Sequence, residues 1–481
     1  MTTADALFRQ KRYAEAEVAY RRALADSPND PRLYFQLGIS LYELGRFDEA
    51  EAVQRNALAL EPTAAEAHYE LGNALYGLKR YEEAQAACER ALQLAPKFAE
   101  ARTGVARALY QFERFEEAAA QCRRALALKP TYWMAHAMLG NALVHLGRFK
   151  EGETALRRAI ALAPEDHAAA AKFDLANLLL SRGDFANGWP FYEARFDARE
   201  PGRPAESTPP IDAPKWLGEA LSGKRLLIWP EQGLGDGIQF VRYVPLLKSM
   251  GADITIACWR PLKNLFTCLS GCASIVAHED LAERDFDFWT HLVSVAAQMR
   301  TDLRSIPAAL PYLSASGELR ATWRRRLPRE GLRVGLAWKG RPGYLTYRHL
   351  ESIRQLRPLW DVPGVAFVSL QKESDEHVEL PADQPLLQLG AQIGDLADTA
   401  AIVSELDLVI TIDSAVAHLA GALGKPVWVM LSLRGDWRWL RDRADSPWYP
   451  GVMRLVRQPR HGDWQPVIAQ VASALHAQAT T

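Results

Sequence analysis

The sequence predicts an all-α repeat array followed by an α/β region, and three observations carry that expectation. Residues of matching type recur every 34 positions through the first third of the chain. A proline-rich stretch at 200–215 then interrupts all periodicity and reads as a linker. Beyond it, short apolar runs alternate with helical stretches, the mark of a parallel sheet with crossover helices. At 481 residues the chain exceeds one ordinary core, so more than one domain is expected.

Composition narrows the partners. A net charge of −1 with 24% charged residues gives no general reason to expect nucleic acid or an anionic membrane. Residues 1–11 carry charge too early and too often for a signal peptide. The most apolar stretch, 408–431, is broken by Asp413, His418 and Lys425, so no membrane insertion is expected. Five cysteines, few and odd in number, fit a reducing compartment and a cytoplasmic location. Cys268 and Cys272 lack the doubled spacing of a zinc site, and no metal is expected.

The first domain, 1–199, is built from columns. Pro28, Pro62, Pro96, Pro130 and Pro164 recur in register with Tyr13, Phe47, Tyr81, Phe115 and Phe149. Ala16, Ala50, Ala84, Ala118 and Gly152 form another column, and Ala23, Ala57, Ala91, Ala125 and Ala159 a further one. Leu37-Gly38, Leu71-Gly72 and Leu139-Gly140 add a small residue where paired helices touch. Period and residue types are those of the tetratricopeptide repeat. Small residues let the two helices of a pair approach, and proline closes the second helix. Stacked pairs bury a continuous core and expose a concave groove, read here as the site of a protein or peptide acceptor. Asn73 and Asn141 share one column, with Asn177 equivalent in the last unit, and are the candidate contacts to peptide backbone. The array opens on a half repeat near Ala14–Asp26. It closes on an atypical unit in which Phe185 follows Phe149 by 36 residues, as expected of a unit that docks onto the next domain. An array that merely props up or dimerises the chain is the plainer reading.

In the α/β region, strands are expected at 225–229, 253–257, 274–277, 333–338, 365–370, 407–412 and 426–431, with an arginine-dense helical connector at 319–332. Two segments carry chemistry. Glu231-Gln232-Gly233-Leu234-Gly235-Asp236-Gly237 follows a strand and opens a helix, so Gly233 and Gly235 are expected where backbone turns tightly and approaches a ligand. The Gly-x-Gly-x-Gly spacing, without an acidic end to the second strand, does not match the dinucleotide fingerprint. Asp236 stands at the carboxyl edge of the sheet, either as a general base or as a helix cap. The second segment, Asp413-Ser414-Ala415-Val416-Ala417-His418, places a helix N-terminus at the same edge, suited to a diphosphate. His418, one turn in, is in reach of phosphate or sugar, and Lys339 and Arg341 bring cations there. Asp285-Phe286-Asp287 is a short metal-type motif inside a strand-like run and is set aside.

These segments, with Ile238-Gln239-Phe240, Arg242-Tyr243, Ser369-Leu370-Gln371, Asp436-Trp437-Arg438-Trp439 and Ser446-Pro447-Trp448-Tyr449-Pro450, resemble bacterial tetratricopeptide-repeat glycosyltransferases. The catalytic half is similar to the heptosyltransferase superfamily, and the layout to O-linked N-acetylglucosamine transferase. The resemblance implies a GT-B fold of two Rossmann-like lobes: 216–325 on the acceptor side, 326–460 on the nucleotide-sugar side, and a C-terminal helix in 461–481 returning to the first lobe. It implies an inverting, metal-independent transfer with the nucleotide sugar as substrate and no cofactor. Asp236 falls at the position of the general base, Lys339, Ser414 and His418 match the donor-phosphate side, and Gln371 is set to meet base or ribose. Asp413 and Ala415 go with the donor, and Glu231 and Gln232 with the acceptor. The run 341–350 lacks the acid found in relatives, and Gly237 replaces a common hydroxyl residue.

The expected function is therefore glycosyl transfer to a protein Ser or Thr. Two rivals are a catalytically dead repeat scaffold and a transferase acting on lipopolysaccharide core. Sugar, base and acceptor are not legible, and oligomerisation stays open.

Overall fold

The computed structural model describes residues 3–197, 208–269, 271–282, 284–340, 348–372, 386–433 and 435–480. The chain divides into two compact units, one of Met1–Leu178 with Phe191–Ala205, the other of Leu179–Pro190 with Glu206–Thr481.

The first unit is a run of helix pairs: α1 (Thr3–Arg9), α2 (Tyr13–Asp26), α3 (Pro31–Glu43), α4 (Phe47–Leu60), α5 (Ala65–Gly77), α6 (Tyr81–Leu94), α7 (Ala99–Gln111), α8 (Phe115–Leu128), α9 (Trp133–His145) and α10 (Phe149–Leu162). Two more, α11 (Ala169–Ser181) and α12 (Phe185–Tyr192), cross the unit boundary. The glycine column explains the close pairing. A Cβ on Gly38 would lie 2.2 Å from the Gln54 amide, on Gly72 2.6 Å from Cys88 Sγ, and on Gly140 2.6 Å from Leu156. Cys88 and Cys122 are buried in the same contact layer. A left-handed residue joins the helices of each pair, at Lys11, Gly45, Lys79, Glu113, Gly147 and Gly183. The two-residue slip before α11 is taken up by a single turn at Glu165–His167. Two expectations change here. The array does not open on a half repeat, because α1 packs beside α2 and shares its core through Ala4. The first domain does not run unbroken to 199 either, since Leu179–Pro190 belongs to the second unit.

That second unit holds two sheets whose strands all pair in parallel. The first is formed by β1 (Arg225–Trp229), β2 (Asp253–Cys258), β3 (Ala273–Ala277) and β4 (Phe288–His291), in the order β3-β2-β1-β4. Its helices are α13 (Leu234–Phe240), α14 (Val244–Ser249), α15 (Arg260–Phe266) and α16 (Ser294–Gln298). After α17 (Gly317–Arg324) come β5 (Leu332–Ala337), α18 (Arg357–Trp360), β6 (Val365–Ser369), β7 (Leu386–Gln388), α19 (Leu396–Ser404), β8 (Leu408–Ile412), α20 (Ala415–Ala422), β9 (Val427–Leu431), β10 (Met453–Arg457) and α21 (Gln465–Ala479). The second sheet runs β10-β9-β8-β5-β6-β7, the strand order of a doubly wound parallel sheet. The order reverses between β5 and β8, and ligands of such sheets bind outside the carboxyl ends of the strands at that point.

Three boundaries also move. The helix α21 buries Val467, Ile468, Val471 and Leu475 against Val334, Leu336 and Ile410, so it closes the second sheet and does not return to the first. The connector α17 is tied to the second sheet's α19 by Trp323 Nε1 to Asp398 at 2.9 Å and by Arg320 and Arg324 to Glu405. Already at Tyr312 the backbone donates to Ala422 O, 3.0 Å away, so the second half begins before 326. Finally, 211–216 is no free linker: Trp289 N donates to Pro214 O, Trp216 N donates to Trp289 O, and Ile211 packs against Leu227 and Trp229. Residues 200–207 of the expected linker lie outside the described residues.

Candidate functional site

The loop after β1 is shaped by glycines, though not in the way the spacing suggested. Gly233 is extended (φ −108°), and the left-handed residue is Gln232 at φ +55°. A left-handed glutamine costs about 1–3 kcal/mol and marks a place where the surroundings impose the backbone. Gly235 serves close packing: a Cβ there would lie 2.8 Å from His418 Cδ2 and 3.5 Å from Ala415 Cα. At Gly237 it would meet Leu262 at 2.6 Å. These two glycines let α13 press against α20 and α15.

Packing α13 on α20 brings the ends of β1 and β8 together and assembles a charged cluster. Asp236 accepts the Gly233 N–H through Oδ2 at 2.8 Å and ion-pairs with Arg438 through Oδ1. Arg438 Nη1 also donates to Asp436 at 2.8 Å, and Nη2 to Gln232 Oε1 at 3.0 Å. Arg348 Nη1 donates to Asp413 at 2.9 Å and lies 3.5 Å from Asp436. Burial pushes the Asp236 carboxyl above its ordinary range, against the pull of Arg438 and the Gly233 N–H. Burial also raises Asp413. At Asp436 burial is outweighed by Arg438 and Arg348, so this carboxyl is the strong acid of the group.

His418 is buried under the site. Its Nδ1 lies 2.8 Å from Tyr449 Oη, and its ring stacks on Trp439 at 4.8 Å. Burial, with Arg438 nearby, holds its pKa down to about 3, so the ring is neutral at neutral pH and offers no cation to a phosphate. Ser414 caps α20 without a side-chain cap bond, and its Oγ lies 2.9 Å from Thr411 Oγ1. Ala415 opens the helix and stays partly exposed. On one side of the strand reversal, Lys339 N donates to Gln371 Oε1 at 3.1 Å, linking the loops that leave the paired strands β5 and β6. Arg341 lies outside the described residues.

The acceptor-side assignments are brought into other bonds. Glu231 is buried and accepts the Val293 N–H at 2.7 Å, tying the loop after β1 to the one after β4. Asn73 donates to Glu70 at 3.0 Å and accepts from Arg107 at 3.1 Å. Asn141 donates to Asp174 at 2.7 Å, and Asn177 to Phe173 O at 2.9 Å. At Asn73 and Asn141 the column links one repeat to the next. Asp287, of the set-aside motif, accepts from the Arg225 backbone at 2.8 Å at the start of the strands, the end opposite the cluster. Sequence reasoning gave no role to Arg438, Asp436, Arg348 or Tyr449. The signal was the Asp-Trp-Arg-Trp run, whose buried charge needs a buried partner.

Tetratricopeptide repeat profiles match residues 35–97 and 69–132, and a second such profile matches 7–53 and 109–173. Protein FlbA of Caulobacter vibrioides is 30% identical over 339 residues, which cover 64% of this chain and 55% of FlbA, so the match spans little more than half of that relative. Among solved structures, MamA is 23% identical, with 34% of this chain and 95% of MamA covered at a TM-score of 0.30. The thermophilic tetratricopeptide protein TTC0263 of Thermus thermophilus is 23% identical, covering 37% and 95% at 0.33. PilF of Pseudomonas aeruginosa is 18% identical, covering 39% and 85% at 0.34. At these TM-scores the structural likeness supports no statement about function. The N-terminal region is a tetratricopeptide array, and parallel sheets come after it.

Proposed function

We propose that the chain is an inverting, metal-independent glycosyltransferase of GT-B type that moves a sugar from a nucleotide-sugar donor to a protein hydroxyl. The observation that carries this reading is the packing of α13, which holds Asp236, on α20 through Gly235 and Ala415, beside the reversal of the second sheet. Asp236 is a partly buried carboxylate with a raised pKa, as suits a general base. The acceptor hydroxyl attacks the anomeric carbon from the face opposite the nucleotide. A new carbon–oxygen bond forms, the bond to the diphosphate breaks, and the hydroxyl proton passes to Asp236. The diphosphate leaves with its electron pair, met by the backbone N–H groups of Ala415 and Val416 and by the Lys339 ammonium. His418 enters as a neutral wall of the site. The repeat array supports a protein acceptor, since stacked repeats offer an extended binding surface. A cytoplasmic setting accompanies this reading, in keeping with free cysteines.

A panel of nucleotide sugars in a thermal-shift assay with EDTA present tests the proposal. The cognate donor at 100 times its Kd adds about 2.7 kcal/mol of stability, and Lys339→Ala reduces that gain. A panel without any shift would favour the repeat scaffold, and activity lost to EDTA and restored by Mn²⁺ would favour a metal-dependent transfer.

A further inference from the structure

We infer that Arg438 is a positioning residue, which orients the Asp236 carboxylate and binds neither substrate itself. The inference rests on the reading of Asp236 as base and adds what makes it one. The Arg438 side chain is 6% exposed. Its guanidinium is held by Asp236, Asp436 and Gln232, and lies 4.6 Å from the Trp437 ring centre and 5.6 Å from that of Phe240. A planar fork engaged on three acceptors and lying near two rings stays directed into the protein.

The same contacts fix Asp236. One oxygen takes the Gly233 N–H and the other faces Arg438, so the plane of the carboxylate is set by two anchors. Gln232 points to the purpose of the arrangement. Its backbone is left-handed, and its side chain reaches Arg438 from that position.

Electrostatics gives the second half of the role. Asp436 and Glu231 face Asp236 and disfavour its charge, as does burial; Arg438 and the Gly233 N–H favour it. From α20 comes His418, which is neutral, while Arg348 is directed at Asp413 and Asp436. Among the described residues, Arg438 is thus the cation that favours the charged base. Without it, burial and two neighbouring carboxylates would push the Asp236 carboxyl higher still and make it a poorer resting carboxylate.

The test uses the full chain labelled with ¹³C at aspartate carboxyls, with Asp236→Asn assigning the resonance. Arg438→Gln should raise the Asp236 titration midpoint by about one pH unit or more, a tenfold change in proton affinity. Arg438→Lys, which keeps charge but loses the fork, should fall between. The acidic limb of kcat/KM should move by the same amount. Gln232→Gly relieves the left-handed backbone and so folds readily; it should lower kcat several-fold with an unchanged KM for donor. An unmoved midpoint in both Arg438 variants, or donor affinity lost together with an unmoved acidic limb, would overturn the role. The titration needs no turnover. A shifted midpoint in a chain that transfers no sugar would leave the positioning intact and remove the transferase reading.

Discussion

At the scale of single residues, His418 and Gly235 form one contact seen from two sides. The His418 ring is fixed by Tyr449 and Trp439, so it cannot retreat from a Cβ placed 2.8 Å away on Gly235. Gly235→Ala should therefore cost about 1–3 kcal/mol in chemical denaturation. Gly237→Ala should cost less, because the atom it meets is the end of a leucine side chain. His418 also gives a pH signature. Its folded pKa, about 3, lies below the ordinary value of 6.5, so its stabilising contribution is complete above about pH 6.5 and falls as pH drops toward 3. Below pH 6.5 the unfolded chain takes up a proton that the folded chain refuses, at up to about 1.4 kcal/mol per pH unit. Urea midpoints at pH 7, 6 and 5 should fall less in His418→Gln than in the parent. An equal fall in both would mean that the ring is not held neutral. Asp436, also depressed, contributes in the same direction but only in the range where carboxylates protonate.

At the scale of elements, legibility followed periodicity and burial. The repeat helices and buried strands such as β8, whose five residues are all inside, announce themselves by column or apolar run. The strand β10 was missed because Arg454 and Arg457 interrupt it at the sheet edge and β7 because it has three residues, while β4, whose run reads as strand-like, is not among the expected strands because it mixes Thr290 and His291 with aromatics. The site was half legible. Asp236, Asp413 and Ser414 stand in recognisable strand–turn–helix segments, whereas Arg438 and Arg348 acquire their place from Asp236, Gln232 and Asp413, all distant from them in sequence. Glycine spacing located the turn, but spacing does not reveal which neighbour a missing side chain accommodates. The segment Phe185–Trp189 makes another prediction. Trp189 is buried, donates to Thr301 O at 2.8 Å and stands 5.4 Å from Trp437, the neighbour of Arg438. Trp189→Ala should destabilise the second unit by about 3–5 kcal/mol, read as a lower melting midpoint for that unit. A change below about 1 kcal/mol would mean that the segment is an appendage.

For the whole molecule, the division of labour sets where the chain can be cut. Because Leu179–Pro190 belongs to the second unit, a chain beginning at Ala168 keeps that unit's packing, while one beginning after 196 loses Phe185 and Trp189 and exposes apolar surface. The first truncation should bind nucleotide sugar and fail to modify protein; the second should aggregate. Protein glycosylation by the first at the rate of the full chain would reduce the array to a prop.

The central claim is that Asp236 accepts the proton of the acceptor hydroxyl, and turnover by Asp236→Asn tests it most directly. Asparagine can still accept the Gly233 N–H, and Arg438 retains Asp436 and Gln232, so the fold should survive at a cost of about 1–3 kcal/mol. Nucleoside diphosphate released from the cognate donor in the presence of acceptor protein is the quantity to measure. The account predicts a folded variant that binds donor as the parent does and turns over at least about a hundredfold more slowly. A variant retaining more than about a tenth of parental turnover would contradict it and move the base elsewhere.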